Sequence, residues 1–224
     1  MITYDPEEPT VLRVEPAQAD EVLTALEARR PFDGSDQIDP EVLDMMSAVL
    51  SAPRGALRLE SAGRLFHVMH EFTLAEAGSL RRSGVRPGLE ELAFFPTPVL
   101  SGVLLRLLQI APVEPLGADV RVALPAGTLE DLFLEDHEAR ETPLSTLQEL
   151  ASSLPPARDT SLEQAPLRAH RLTRIASTGD RAAHVLMLRG RYLRAVTGGL
   201  GTVLVGTDPT GAHRAISALL NPRR

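Results

Sequence analysis

Apolar residues recur along the chain with two periods, and the two periods follow each other in the same order in both halves. Near Val11 a short alternating run predicts a strand, and the next stretches have the spacing of amphipathic helices. A series of alternating runs separated by turn residues then predicts a group of strands, and an apolar helix follows. The same succession begins again near Asp119.

The two halves also end on the same signals. The first ends on "AFFPTPVLSGVLLRLLQIAP" and the second on "VLVGTDPTGAHRAISALLNP". Each predicts a strand, then an N-cap residue with proline at the first helical position, then an apolar helix. The cap and proline are Thr97-Pro98 in the first half and Asp208-Pro209 in the second.

Three further segments match in the same order along the chain. "VLRVEPAQADEVLTAL" pairs with "DVRVALPAGTLEDLFL", "DPEVLDMMSAVLSAPR" with "TPLSTLQELASSLPPAR", and "GRLFHVM" with "DRAAHVL". In the second pair Asp39-Pro40 and Thr142-Pro143 are the predicted helix starts. The sequence therefore predicts an internal duplication with halves 1–112 and 113–224, each β-α-α-β4-α, joined as one intimate domain.

Short turns between the predicted strands indicate antiparallel meanders. The first half offers "GALRLES", "RLFHVMHEF", "TLAEAGSL" and "LEELAFF", and the second offers "LRAHRLTRIAS", "AAHVLML", "RYLRAVT" and "TVLVGT". We expect the meanders to join across a pseudo-two-fold axis into one sheet or two abutting sheets, flanked by helix pairs. The predicted fold class is α+β.

The last helix of each half differs in its pattern. The closing helix of the chain has one apolar side, whereas residues 98–110 are apolar almost all round, with Arg106 as the single charge. A helix of that kind is buried on two sides or meets a partner. Burial at the join between the halves is the favoured interpretation, and an interface is the alternative.

Composition narrows the function classes. The chain has 224 residues, 43% of them apolar and 24% charged, as in ordinary soluble globular proteins. It contains no cysteine and no lysine, which excludes disulfides, thiolate metal sites and a catalytic lysine. The formal charge of −7 disfavours nucleic acid as a partner. The acidic start "MITYDPEEPT" and the lack of a long apolar run predict no leader and no membrane span, hence a cytoplasmic protein.

The glycines near the C-terminus invite comparison with a phosphate-binding loop. Gly201 and Gly206 have the required spacing, but Thr207 and Asp208 follow where lysine and a hydroxyl residue are needed. The stretch is better explained by a hairpin turn at Gly198, a strand, and a helix capped by Asp208.

No catalytic, cofactor or metal residue is predicted. His67 and His70 in "HVMHE" lie three apart in a predicted strand and so point to opposite faces, which disfavours a metal site. His137 is expected at a solvated helix end, and no G-x-S-x-G elbow accompanies any histidine. An enzyme would need a site assembled from scattered residues, so a binding function is favoured.

The helices of the second half carry more apolar residues than one buried stripe needs. We expect Phe133, Leu134, Leu147 and Leu150 to contact a partner, with simple core packing as the alternative. Charged substitutions at a true binding site would abolish partner binding and leave the fold intact.

The final third resembles the EspG family of type VII secretion chaperones. The resemblance is carried by "LMLRGRYLRAVTGGLGTVLVGTDPTGAHRAISALL", in which Gly190 to Leu193 match the family's Gly-Arg-Tyr-aliphatic strand and Asp208-Pro209 its capped turn. "IDPEVLDMMSAVLSAPRGALRLE" is similar to an earlier family segment. The family also has a pseudo-two-fold α+β fold.

The resemblance implies a cytosolic chaperone without cofactor that binds the helical tip of a secreted protein or heterodimer. Such binding needs a few apolar anchors within a polar rim. The alternative is an immunity-type or regulatory binding module on a similar duplicated scaffold. Either could act as a monomer or a homodimer.

Overall fold

The computed structural model describes residues 2–5, 7–8, 10–155, 166–176, 179–199 and 201–220. Within these ranges the chain forms eleven strands and six α-helices, which confirms the predicted α+β class. The elements of the first half are β1 (Thr3–Tyr4), β2 (Val11–Val14), α1 (Pro16–Glu27), α2 (Pro40–Ser51), β3 (Gly55–Gly63), β4 (Phe66–Leu74), β5 (Ser79–Arg86), β6 (Leu89–Phe95) and α3 (Leu100–Leu107). Those of the second half are β7 (Arg121–Leu124), α4 (Thr128–Asp131), α5 (His137–Ser152), β8 (Arg168–Ile175), β9 (Arg181–Leu188), β10 (Arg191–Gly198), β11 (Gly201–Thr207) and α6 (Pro209–Leu220).

The strands form one sheet in the order β1-β2-β6-β5-β4-β3-β8-β9-β10-β11-β7. Successive hairpins such as β5–β6 and β10–β11 are antiparallel, as the short turns predict. Counted outward from the β3–β8 step, the order is the same on both sides except for the added β1. The shared order agrees with the proposed duplication, but the duplication and its boundary at residue 112 remain predictions.

The chain divides into two compact units that exchange short segments. Unit 1 comprises Met1–Arg58, Met69–Leu104 and Arg174–Asp180, and unit 2 comprises Leu59–Val68, Leu105–Thr173 and Arg181–Arg224. In unit 1, α1 packs against β6 and α2 against β5; in unit 2, α5 packs against β9, and α6 packs against β9, β10 and β11. The core of unit 1 includes Leu12, Val14, Val22, Leu26, Val42, Met46, Leu80, Leu92 and Phe94. The core of unit 2 includes Leu129, Leu132, Phe133, Leu144, Leu147, Leu186, Leu193 and Leu204.

Local capping signals explain where several helices begin. α2 starts at Pro40, and the Asp39 carboxylate accepts a hydrogen bond from the Glu41 amide at 2.9 Å. α6 starts at Pro209, and Asp208 accepts one from the Gly211 amide at 2.5 Å. The predicted caps at these two starts are confirmed.

Three local expectations are wrong. The Thr142 cap is wrong because α5 already starts at His137, where Asp136 accepts from the Glu138 amide at 3.0 Å, and Pro143 lies inside the helix. His137 is therefore at a helix start rather than a helix end. The strand expected in "TLAEAGSL" is wrong because a turn closed by the Ala75 amide and the Gly78 carbonyl, 2.8 Å apart, divides that run.

α3 is shorter and less buried than its apolar sequence predicts. A 3₁₀ turn at Thr97–Val99 precedes it. Leu100, Leu104 and Leu108 form a single buried stripe, while the opposite residues Gly102 and Arg106 are exposed. The expectation of burial on two sides is wrong, because helical spacing brings only every fourth leucine to the core.

Candidate partner-binding surface

The structure places the four predicted partner residues in different environments. Phe133 and Leu147 lie in the core of unit 2, with 5% and 0% of their surface exposed. Leu150 packs against that core and is partly buried. Leu134 is 44% exposed. Direct contact with a partner is thus open to Leu134 and Leu150, whereas Phe133 and Leu147 are covered by their own unit.

Phe133 is held in place by polar side chains of the strands beneath it. Both carboxylate oxygens of Glu60 accept hydrogen bonds of 2.6 Å from the Arg171 guanidinium. The Arg171 guanidinium lies 4.5 Å from the centre of the Phe133 ring, a cation–π distance. The centre of the His184 ring is 6.0 Å from the centre of the Phe133 ring. These contacts fix the loop after α4 to strands β3 and β8.

The next residue, Leu134, is turned outward by a buried arginine. Arg140 is only 4% exposed. Its Nη1 donates to the Leu134 carbonyl at 2.7 Å and to the Glu135 carbonyl at 2.8 Å. Charge-assisted hydrogen bonds of this kind are stronger than neutral ones. Arg140 therefore holds the α4–α5 loop in the shape that leaves Leu134 exposed.

A second exposed leucine lies in the turn between β3 and β4. Leu65 is 88% exposed, the highest value among the large apolar residues. The neighbouring Arg64 carbonyl is 3.1 Å from Nε2 of His137, at the start of α5. This contact ties the turn to the helix. We call the region formed by Arg64, Leu65, Leu134, His137 and Glu141 the α5 surface.

The α5 surface contains a cleft of about 440 Å³, lined by Arg64, His137, Glu141, Thr142, Leu144, Ser145 and Gln148. Among the described lining residues, Leu144 alone is apolar. In the described part of the chain no hydrogen bond joins His137 to a hydroxyl or a carboxylate, the geometry that activates a nucleophile. The polar lining, with leucines on the adjoining loops, is the composition expected of an interface rim.

Two serine–histidine contacts are present in the described ranges, and the sequence did not reveal either. In α6, Ser217 Oγ lies 3.1 Å from His213 Nε2, one helical turn away. Ser61 Oγ lies 2.8 Å from His170 Nδ1, and the two residues are 109 positions apart. Both are buried, so a substrate has no path to them. Burial, with Arg168 adding to it, lowers the pKa of His170 to about 4. The pair acts as a satisfied polar contact inside unit 2.

The other interior histidines are also held neutral. Burial is the main cause that lowers the pKa of His67 and His184, with Arg140 and Arg171 respectively adding to it. Burial and then Arg81 lower the pKa of His70 to about 4. His67 and His70 both lie in β4, as predicted. Among the residues that the structure describes, no three histidine, cysteine or acidic side chains are grouped to hold a metal ion.

None of the helices in the described ranges has the length and apolarity needed to cross a bilayer.

Comparison with known proteins gives a structural likeness without a sequence match. The chain matches no protein-family model and no curated protein sequence. Its structure is similar to one described as the Mycobacterium tuberculosis type VII secretion system chaperone EspG5 in complex with the PE25-PPE41 dimer. The match has a TM-score of 0.51 and 12% identity, and it covers 95% of this chain and 96% of the other. At this identity the likeness shows the fold alone: the chain is similar in fold to a type VII secretion chaperone.

Proposed function

We propose that the protein is a non-enzymatic export chaperone or adaptor that acts in the cytoplasm. Its partner would be the helical tip of a type VII-exported protein or heterodimer. The observation that supports this most is the fold likeness to EspG5, which extends over nearly the whole of both chains. EspG5 in that structure is bound to the PE25-PPE41 dimer.

The α5 surface is the proposed contact region. The Leu65 side chain is exposed at the turn between β3 and β4, and Arg140 holds the loop in the shape that exposes Leu134. Burying one such leucine against a partner is worth about 1.5–3 kcal/mol. Arg64, His137 and Glu141 supply a polar rim that orients the partner without adding much affinity. A helical tip with apolar residues would be kept from aggregating while it is covered.

The proposal is tested by affinity capture from the cytosol of the native host, read by mass spectrometry. We expect one stoichiometric helical protein or heterodimer of the exported kind. Leu65→Asp should lose it, because a carboxylate in place of the anchor cannot be desolvated cheaply. Val85→Asp is the matched control, since Val85 is 53% exposed in β5 of unit 1.

Two results would contradict the proposal. If Leu65→Asp and Val85→Asp retain the partner equally, the α5 surface is not the contact region. Capture of a toxin instead of an exported helical protein would favour the immunity-type binding module.

A further inference from the structure

Strands β10, β11 and β7 of unit 2 lie beneath α4 and α5 on one face, and their other face is only partly open: α6 packs against β9, β10 and β11, and Val205 is 6% exposed. Leu193, Leu204 and Val122 point to the core beneath α4 and α5. The register places the intervening residues on the other face in two rows: Arg194, Val205 and Arg121, then Val196, Val203 and Ala123. We call these six residues the valine face.

The valine face is a shallow apolar depression. It encloses about 330 Å³, and its lining includes Arg121, Arg194, Val196 and Val203. Val196 is 41% exposed. Gly198 and Gly201 continue the lining, and a Cβ atom placed on either would meet nothing within 4 Å. The space above these strands is therefore open at its glycine end.

Two arginines flank the depression, and no acidic side chain in the described ranges neutralises their charge. Arg121 and Arg194 are both exposed, and neither has a hydrogen-bond or ion-pair partner within the described ranges. They are opposite each other across Val205, two strand spacings apart, which is about 10 Å. The chain has a formal charge of −7, so most of it repels an acidic partner. Two unpaired arginines beside an apolar strip are therefore a local exception.

We propose that the valine face docks an amphipathic helix of a partner protein whose apolar stripe is bordered by carboxylates. Arg121 and Arg194 share one row, and the open row Val196, Val203 and Ala123 lies beside it, so a helix along the open row has both arginines on one flank. Its apolar stripe would cover Val196 and Val203, and acidic residues on the border nearest the arginines would reach Arg121 and Arg194 in charge-assisted pairs.

Charge argues against the other occupants. A second copy using the same face would bring like charges together, because a two-fold contact sets each patch against itself. Nucleic acid needs many more cations on a surface of this size. The valine face shares no residue with the α5 surface, so the two binding hypotheses can fail separately.

The test uses two helix-stabilised peptides, each with a leucine and alanine stripe. Glutamates border the stripe in one peptide, and lysines border it in the other. Fluorescence anisotropy should show the acidic peptide binding the full chain about tenfold more tightly than the basic one. Arg121→Glu combined with Arg194→Glu should reverse this preference. Arg86→Glu combined with Arg106→Glu, at exposed arginines outside the valine face, should leave it unchanged.

Amide chemical shifts of the unmodified protein give a readout that does not depend on a variant folding. The acidic peptide should shift resonances of β7, β10 and β11 and leave those of α5 in place. The proposal is overturned if the acidic peptide does not bind, if it binds the double variant equally, or if its shifts lie elsewhere. It is also overturned if the protein is a dimer that Val196→Asp dissociates.

Discussion

The two units use equivalent sheet positions in opposite ways. When the core residues Leu92 of β6 and Leu204 of β11 are matched, the register aligns Glu91 with Val203 and Arg81 with Arg194. In unit 1 Glu91 forms ion pairs with Arg81 and with Arg13, the latter at 3.6 Å. In unit 2 a valine replaces the acid.

The charges on this face are paired within unit 1, whereas two arginines of the valine face of unit 2 have no partner in the described ranges. Arg81 and Glu91 side chains are 12% and 13% exposed, and the Arg81 guanidinium also lies 5.5 Å from the Phe95 ring centre. Their charges are used internally, whereas those of Arg121 and Arg194 are available to a partner. Unit 1 therefore satisfies these charges internally, whereas in unit 2 Val203 and Ala123 occupy the positions of Glu91 and Arg13.

The largest expected effect lies on the helix-covered faces, which the two units share. Leu147 of α5 and Met46 of α2 are both fully buried. Leu147→Ala and Met46→Ala should each lower the free energy of unfolding by about 3 kcal/mol, through lost burial and a cavity. Urea denaturation measures this, with Leu134→Ala as an exposed control near zero. If Leu147→Ala left the free energy of unfolding unchanged, Leu147 would again be a candidate for contact with the partner.

The second largest effect on stability is expected from removing Glu91. Glu91→Val leaves Arg81 and Arg13 without their shared carboxylate in a largely covered site. We expect a loss of about 2 kcal/mol, below the full cost of breaking a deeply buried pair because water reaches this one. Arg81→Met added to Glu91→Val should recover part of the loss, because Arg13 keeps its ion pair with Glu8 whereas Arg81 loses its carboxylate. No change in Glu91→Val would mean that the network does not stabilise unit 1.

The pH dependence compares one interior histidine from each unit. His70 and His170 both have a folded pKa of about 4, lowered first by burial. The unfolded chain binds the proton near pH 6.5, so their stabilising contribution is complete above that pH and is lost as pH falls towards 4. For His170 the loss between pH 7 and 4.5 should be on the order of 2 kcal/mol.

Denaturation curves at these two pH values measure that loss, and His170→Gln should reduce it while retaining a partner for Ser61. An unchanged pH dependence in this variant would contradict the assignment of a neutral His170.

The smallest effect is expected from giving unit 2 the acid of unit 1. Val203→Glu places a carboxylate between two arginines that have no partner in the described chain. Stability should rise or stay within about 0.5 kcal/mol, as for other exposed ion pairs. Binding of the acidic peptide should nevertheless fall, because the new carboxylate competes for both arginines. If this variant bound the acidic peptide as tightly as the unmodified protein does, Arg121 and Arg194 would not be the groups that bind it.

Local signals predicted much of the fold. Cap and proline pairs such as Asp39-Pro40 predicted the starts of α2 and α6, and turn residues predicted antiparallel hairpins. The start of α5 was predicted too late, because burial of Pro143 and Leu147 outweighs the cost of a proline inside the helix. β5 escaped prediction because its arginines look like solvated loop until Glu90 and Glu91 of β6 pair with them.

The candidate site was less predictable than the fold. Phe133 and Leu134 are adjacent and equally apolar, yet one stacks beneath Arg171 and the other faces solvent. The contacts that separate them come from Glu60 and Arg171, which are 111 positions apart. Leu65 follows a turn signal, but no sequence pattern distinguishes an exposed leucine from a buried one there.

The central claim is that the α5 surface binds a helical exported partner. The most direct measurement is hydrogen–deuterium exchange of the purified complex, compared with the free protein and resolved to short peptides. We expect slower exchange at residues 64–66 and 134–145 on binding. Protection confined to other segments, with these two unchanged, would contradict it.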